Sequence, residues 1–300
     1  MNRSFASWIA DHPGRAVVVT GLLGLLPLFG LGFAFFLPGA VPALVTLVRG
    51  PRTGVMVAAG ATLLLALAMW AIGRPVPVGL IYSVWVLGPP LALGLLLRRT
   101  DSLSLALQVA VLAGVAMVVL LHLTLGDPAR FWAPFVRDLA EEMQRRGLPM
   151  DLEQDGLVET LAQTLWGWVT VLTVLLAMCA LFLARWWQAR AAGQAGRFGA
   201  EFQQLRIGVV LGGAAAVSIV ASLLSERPLV DDLARLFMGA LMIVGLAAAH
   251  RYKAAGRLGG AWLGLIYVLL VIVAPVMVAA LAGWGFVDNW LRSRGAAQGT

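Results

Sequence analysis

The sequence predicts an all-α, polytopic transmembrane helix bundle of eight or nine spans. Of 300 residues, 60% are hydrophobic and only 12% charged, and mean hydropathy is +0.88. A water-exposed surface needs about a quarter of its residues charged. Charge-free apolar runs of about 20 residues, the length that crosses hydrocarbon, recur along the chain. Between them the arginines fall in alternate connections, the pattern that sets orientation in a bilayer. Disordered, collagenous, disulfide-stapled and ordinary water-soluble classes are excluded together.

The net charge of +7 comes from 22 bases, of which 21 are Arg and only Lys253 is Lys, against 15 acids. In a soluble domain this balance would point to nucleic acid. Here the arginines flank apolar runs, so no nucleic-acid partner is expected and the bilayer is the partner that they address. The single cysteine, Cys179, cannot form an internal disulfide or a cysteine-based metal site.

The first apolar run, Ala16 to Val48, carries no charge over 33 residues. As one helix it would be about 50 Å long, against about 30 Å of hydrocarbon. Gly30, Gly32, Pro38, Gly39 and Pro42 interrupt its second half, and arginines stand at both ends. It reads as a hairpin of two short helices turning near 30–39, or as one span plus a re-entrant segment. Further runs lie at 53–73, 75–97, 102–125, 161–184, 207–225, 236–249 and 258–283. Pro75, Pro77 and Gly88–Pro89–Pro90 interrupt the second of these, either as a break of the kind that lines substrate sites in transporters or as a common kink.

With nine crossings and a cytoplasmic N-terminus, the inner segments hold 13 bases and three acids, and the outer ones 9 bases and 12 acids. That asymmetry, +10 against −3, places the chain in a bacterial inner membrane with the C-terminus outside. Trp70, Trp166, Trp168 and Trp284 then fall near outer ends, and Trp186, Trp187 and Trp262 near inner ends, as interfacial anchors. The whole of 1–300 reads as a single integral membrane domain with two non-membrane pieces.

Residues 126–160 form the outer piece, with eight of the fifteen acids. Asp127 can cap a helix with Pro128 in its first turn, and Gly147 and Pro149 stop it. Phe131, Phe135, Leu139 and Met143 recur every four residues, so the helix is amphipathic and suits the outer membrane face or a cap over the bundle. Residues 185–206 form the cytoplasmic interfacial linker. Phe198, Phe202 and Leu205 share a helical face there, with Arg197 and Glu201 spaced to pair beside it. Arg197, Phe198, Glu201 and Phe202 are the candidates for contact with lipid or a protein partner.

No catalytic, metal or cofactor motif appears. His12, His122 and His250 are scattered, and phosphate-loop, HExxH and GxSxG patterns are missing. The expectation is a non-enzymatic protein without cofactor or metal. An intramembrane lipid-modifying enzyme would need polar residues clustered at one depth, and the sequence displays none. Charges beside spans are the remaining leads, because charge in lipid costs several kcal/mol. Arg74, Glu226, Asp231, Asp232 and Arg235 qualify. Asp231 and Arg235 are spaced i,i+4 and the acids at 231 and 232 suit a helix N-terminus, which reads as capping with a snorkelling arginine. The alternative is an ion or substrate site, for which Arg74, Asp231 and Arg235 are the candidate residues, with His122 and Gln108 weaker leads. Gly208, Gly212, Ala215 and Ser222 trace a small-residue face, and Gly256, Gly260 and Gly264 form overlapping GxxxG units, both of which permit close helix packing.

The order of parts also carries a resemblance. A proline-interrupted hairpin is followed by RGPRTG at 49–54, LALGLLLRR at 91–99, the acidic insert, and LFLARWWQARAAGQAGRFGAEFQQLRIG at 181–208. This is similar to the YybS-like family of bacterial membrane proteins, domain of unknown function 2232. The family has an Asn-Pro-Gly-Gly-Phe turn where this chain reads Gln194 to Phe198. The resemblance implies a fold distantly like the substrate-binding components of vitamin transporters, and a transporter-like component that binds a small molecule. It carries over no site residues. The rival reading is a membrane scaffold that docks protein partners through 185–206 and the outer helix.

Overall fold

The computed structural model describes residues 5–147 and 156–297; Arg3, Pro149 and the acids at 151, 153 and 155 lie outside the described residues. The described chain is all helical. In order the helices are α1 (Phe5–Ala10), α2 (Pro13–Leu25), α3 (Leu37–Arg49), α4 (Pro51–Ala71), α5 (Val76–Thr100), α6 (Leu103–Thr124) and α7 (Pro128–Arg145). They continue with α8 (Leu157–Gln163), α9 (Leu165–Ala191), α10 (Arg197–Gln203), α11 (Gly208–Leu224), α12 (Pro228–Ala254), α13 (Gly260–Ile272) and α14 (Ala274–Ala297). Proline stands in the first turn of α2, α3, α4, α5, α7 and α12, where its missing N–H costs no intrahelical bond. At α7 the Asp127 carboxylate accepts from the N–H groups of Ala129 and Arg130 at 2.7 and 3.3 Å, the cap expected from the sequence.

Five helical segments are long and apolar enough to cross a membrane: α4, α5, α6, Leu157–Ala191 and α12. A sixth arises if α10 and α11, bent by 54°, count together. These helices are compatible with a multi-pass membrane protein. Their outward faces agree: on α11, Val210, Val217, Leu223 and Leu224 are each at least 70% exposed, whereas Leu211, Gly212 and Ala215 are buried. Apolar surface on that scale suits lipid rather than water. The eight or nine runs do not all reach span length. Pro13–Phe29, Ala34–Arg49 and Gly260–Ile272 are apolar but shorter.

The chain packs as two units. The first comprises residues up to Ala110 and Thr173–Arg206. Its 16–48 stretch is a helical hairpin: α2 and α3 are joined by two 3-10 turns, with Gly30 left-handed at φ 84°. Ala16 near the start of α2 packs with Val45 near the end of α3, so the two run antiparallel. Residues 38–47 of α3 are all buried. Small residues allow this: Gly39 lies against Pro90 and the Val86 carbonyl, and Gly94 against Ala43. The break expected in 75–97 does not occur at its centre. α5 continues through Gly88–Pro89–Pro90, with Pro90 packed on Gly39.

The second unit comprises Val111–Leu172 and the chain from Ile207 onward. α12 and α14 pack most closely, at Gly245 against the Leu281 backbone and Gly285 against the Leu241 backbone. Two further contacts fix their direction. Arg251 pairs with Asp288, and Tyr252 meets Trp284 edge-on at 5.5 Å. The two helices therefore run the same way, and α13 is the return between them. The 258–283 run is thus not one crossing: Val273 divides it, and the chain comes back to the end where α12 finishes. This corrects the C-terminus expected on the opposite side, and moves Trp284 to the end of Tyr252. The Gly256–Gly260–Gly264 units are not the packing seam. Gly256 and Gly264 have no neighbour within 4 Å of a built Cβ, whereas Gly245 and Gly285 lie where two backbones meet. α7 turns Ala133 and Val136 onto Val158 and Ala162 of α8, leaving Phe131, Phe135 and Leu139 about half exposed.

Candidate functional site

Asp232 is fully buried in the first turns of α12, on the face continued by Leu236, Ala240 and Ile243. Its Oδ1 accepts from Arg235 Nη1 at 2.5 Å, and its Oδ2 lies 2.9 Å from Nε2 of His122 on α6. The Gly167 backbone N–H also donates to the carboxylate. Gly167 is the third residue of α9, where an amide has no intrahelical acceptor, so Asp232 acts as an anionic cap on a neighbouring helix. A side chain at 167 would collide with Asp232 and Arg235. Three helices thus bring one carboxylate, one imidazole, one guanidinium and one amide together.

Beside this cluster lies an aromatic group from α7 and α9. Trp132 meets Trp166 edge-on at 5.0 Å, and Phe131 lies 4.8 Å from Trp166. The Nε1 atoms of Trp132 and Trp166 and the hydroxyl of Thr170, one turn on from Gly167, are buried without hydrogen-bond partners among the described residues. Buried donors left unpaired are costly and rare. Trp166 and Thr170 share α9 with Gly167, the residue whose amide meets Asp232. The cluster's third charged member is a guanidinium, and no trio of His, Cys, Asp and Glu able to hold a metal converges among the described residues.

The sequence-derived candidates are distributed differently from expectation. Arg235 belongs to the cluster, but its partner is Asp232, at i,i+3, rather than Asp231. Asp231 is half-buried and makes no ion pair among the described residues. His122 is central. Gln108 reaches only the Arg206 carbonyl, at 3.4 Å, in the first unit. Arg74 is exposed in the turn between α4 and α5 and forms no ion pair among the described residues. A buried polar cluster that the sequence did not display, Asp232 with His122 and Arg235, is therefore present. Trp166, read as an interfacial anchor, is 3% exposed and belongs to the cluster's wall.

In the first unit the linker candidates form a second polar group. Arg185, on α9 and 4% exposed, donates to Glu201 at 2.7 and 2.8 Å and to Asp101 at 2.6 Å. Arg197 pairs with Glu201 at 2.8 Å and Asp101 at 2.7 Å. Burial by itself would raise the Glu201 carboxyl, but the hydrogen bonds from Arg185 and Arg197 outweigh it and hold it below the ordinary carboxylate range. Phe198 and Phe202 pack on Phe182 at 6.0 and 5.3 Å. All four linker candidates are thereby engaged with α9 or Asp101. A small aromatic pocket in the same unit, lined by Phe35, Trp85 and Leu176, has a volume of about 10 Å³, the space of one water. Comparison of the chain with family models, curated proteins and solved structures finds no match.

Proposed function

We propose that the chain is a multi-pass protein of the bacterial inner membrane, in the manner of a transporter component. On this reading it binds a small molecule at the Asp232–His122–Arg235 cluster without acting as an enzyme. The observation that carries the reading is the buried Asp232, held by three elements beside three unpaired buried donors. Ionisable groups kept inside apolar helix bundles are expensive and usually functional. The donor excess and the Trp132–Trp166 wall suit a planar ligand that offers hydrogen-bond acceptors. The resemblance to the YybS-like family, and through it to vitamin-transporter components, belongs to the same proposal. It is an analogy of fold, a weaker warrant than the site.

Residues 185–206 have a structural role on this reading, supported by the ion pairs of Arg197 and Glu201 and the packing of Phe198 and Phe202. On a partner-docking scaffold those groups would have to be released first.

The test is a thermal-stability and tryptophan-fluorescence titration of the purified full chain with a panel of planar, acceptor-bearing heteroaromatic compounds. Saturable stabilisation with quenching is expected in the wild type, reduced at least tenfold in affinity by Asp232→Asn and by Trp166→Phe. A wild-type chain with no saturable ligand in the panel, or variants that bind as well as wild type, would count against the site.

A further inference from the structure

The chemistry of the Asp232 cluster limits the charge of what it can take. Arg235 donates to Oδ1 of Asp232, so the carboxyl is ionised and can only accept. Nε2 of His122, 2.9 Å from Oδ2, therefore carries the hydrogen between them. The other ring nitrogen, Nδ1, is an acceptor while the ring is neutral and becomes an N–H when it takes a proton. With the ring neutral, Asp232 and Arg235 cancel. The carboxylate is already engaged by Arg235, His122 and the Gly167 amide, so the capacity left for a ligand is mostly donors. Nε and Nη2 of Arg235 meet no acceptor among the described residues. The buried Thr170 hydroxyl, one turn on from Gly167, is likewise unpaired among them.

We propose that the ligand of this cluster is a planar monocarboxylate and that it binds together with one proton, which adds to Nδ1 of His122. The proposal rests on the Asp232 site proposed above. The open side of the Arg235 guanidinium matches the two oxygens of a carboxylate. An anion beside a neutral ring would leave one negative charge uncompensated among apolar helices, which is expensive. Protonation restores the balance, with Asp232 and the ligand set against Arg235 and the imidazolium. The step forms one N–H bond at Nδ1; the proton comes from water and returns to it on release, and nothing is oxidised. His122 is the member of the pair placed for this. Its side chain is 13% exposed against 0% for Asp232, and it stands near the end of α6, beside the exposed connection at 126–127. Asp232 and Arg235 are the charged groups that α12 brings to the ring, and α9 brings the Gly167 amide. Asp231 is half-buried, and Asp127, Arg130, Glu226 and Arg227 in the adjoining turns are exposed; none of them pairs with the three cluster residues.

The experiment is calorimetric titration of the full chain in detergent with benzoate and 2-naphthoate, and with their neutral amides. Buffers of different ionisation enthalpy count the protons taken up per ligand bound. Above the pH at which the free ring loses its proton, about one proton should enter with each carboxylate, and carboxylate affinity should fall about tenfold per pH unit. The amides should bind without a proton. In His122→Gln, whose side-chain amide can still donate to Asp232, carboxylate binding should lose its pH dependence. The wild-type proton count decides the proposal even where the variant does not fold. Carboxylates binding without a proton, the same uptake in His122→Gln, or amides binding where carboxylates do not, would each overturn the proposal and leave the Asp232 site standing. Binding of neither class would remove both.

Discussion

Glu201 is the residue at which charge and packing can be separated most cleanly. Its carboxyl is held below the ordinary range by Arg185 and Arg197, so the stability it contributes is present above the ordinary carboxylate value. That contribution is lost as pH falls through its lowered value. Glu201→Gln should therefore destabilise the chain by about 1–3 kcal/mol at pH 7, because the buried Arg185 keeps only part of its pairing. The difference from wild type should shrink on acidification below the carboxylate range, and denaturant unfolding at pH 7 and pH 3.5 checks this. An equal loss at both values would mean that packing, not charge, holds α10. The i,i+4 spacing of Arg197 and Glu201 was legible in the sequence. Arg185 and Asp101 were not, since Asp101 lies 84 residues from Arg185. The same holds at the other cluster. Asp232 shares the helical period of Leu236, Ala240 and Ile243, which marks it rather than Asp231 as the inward carboxylate. The contribution of His122, 110 residues away, depends on tertiary packing.

At the scale of elements, apolar run length located helices well and connections poorly. The 16–48 run behaves as its glycines and prolines indicate, turning at Gly30. The 258–283 run has its glycines at 259, 260, 264 and 283, away from the division at Val273, and Pro275 only just after it; that the chain reverses there follows from the pairing of α14 with α12. Gly88–Pro89–Pro90 shows the converse, since proline is tolerated inside an apolar helix where its surroundings re-satisfy the freed backbone groups. The α12–α14 contact makes a sharp prediction. Gly285→Ala sets a methyl group against the Leu241 carbonyl and Gly245 amide, backbone atoms that cannot step aside. It should cost about 1–3 kcal/mol. Gly283→Ala, two residues away with nothing within 4 Å, should be neutral or stabilise by up to about 1 kcal/mol through helix propensity. Thermal midpoints of the two variants in one detergent give the comparison. Equal midpoints would contradict the packing of α12 on α14.

For the whole molecule, the account joins a membrane reading to the direction of each helix. Composition alone made the solvent legible, since 60% hydrophobic and 12% charged residues leave no water-facing surface of ordinary size. Span count was less legible, because run length does not distinguish a full crossing from a short helix that turns back. The measurement that tests the account most directly is side-specific labelling of single cysteines in a Cys179→Ser background. Probes at Gln144, Gln194, Arg257 and Leu291 sit on α7, beside α10, after α12 and near the end of α14. The account predicts that Gln144→Cys labels from outside, while Gln194→Cys, Arg257→Cys and Leu291→Cys label only after the inner face is opened. Labelling of position 291 from outside would contradict the return of α14 to the end of α12. Labelling of 144 and 194 from the same face would contradict the membrane arrangement.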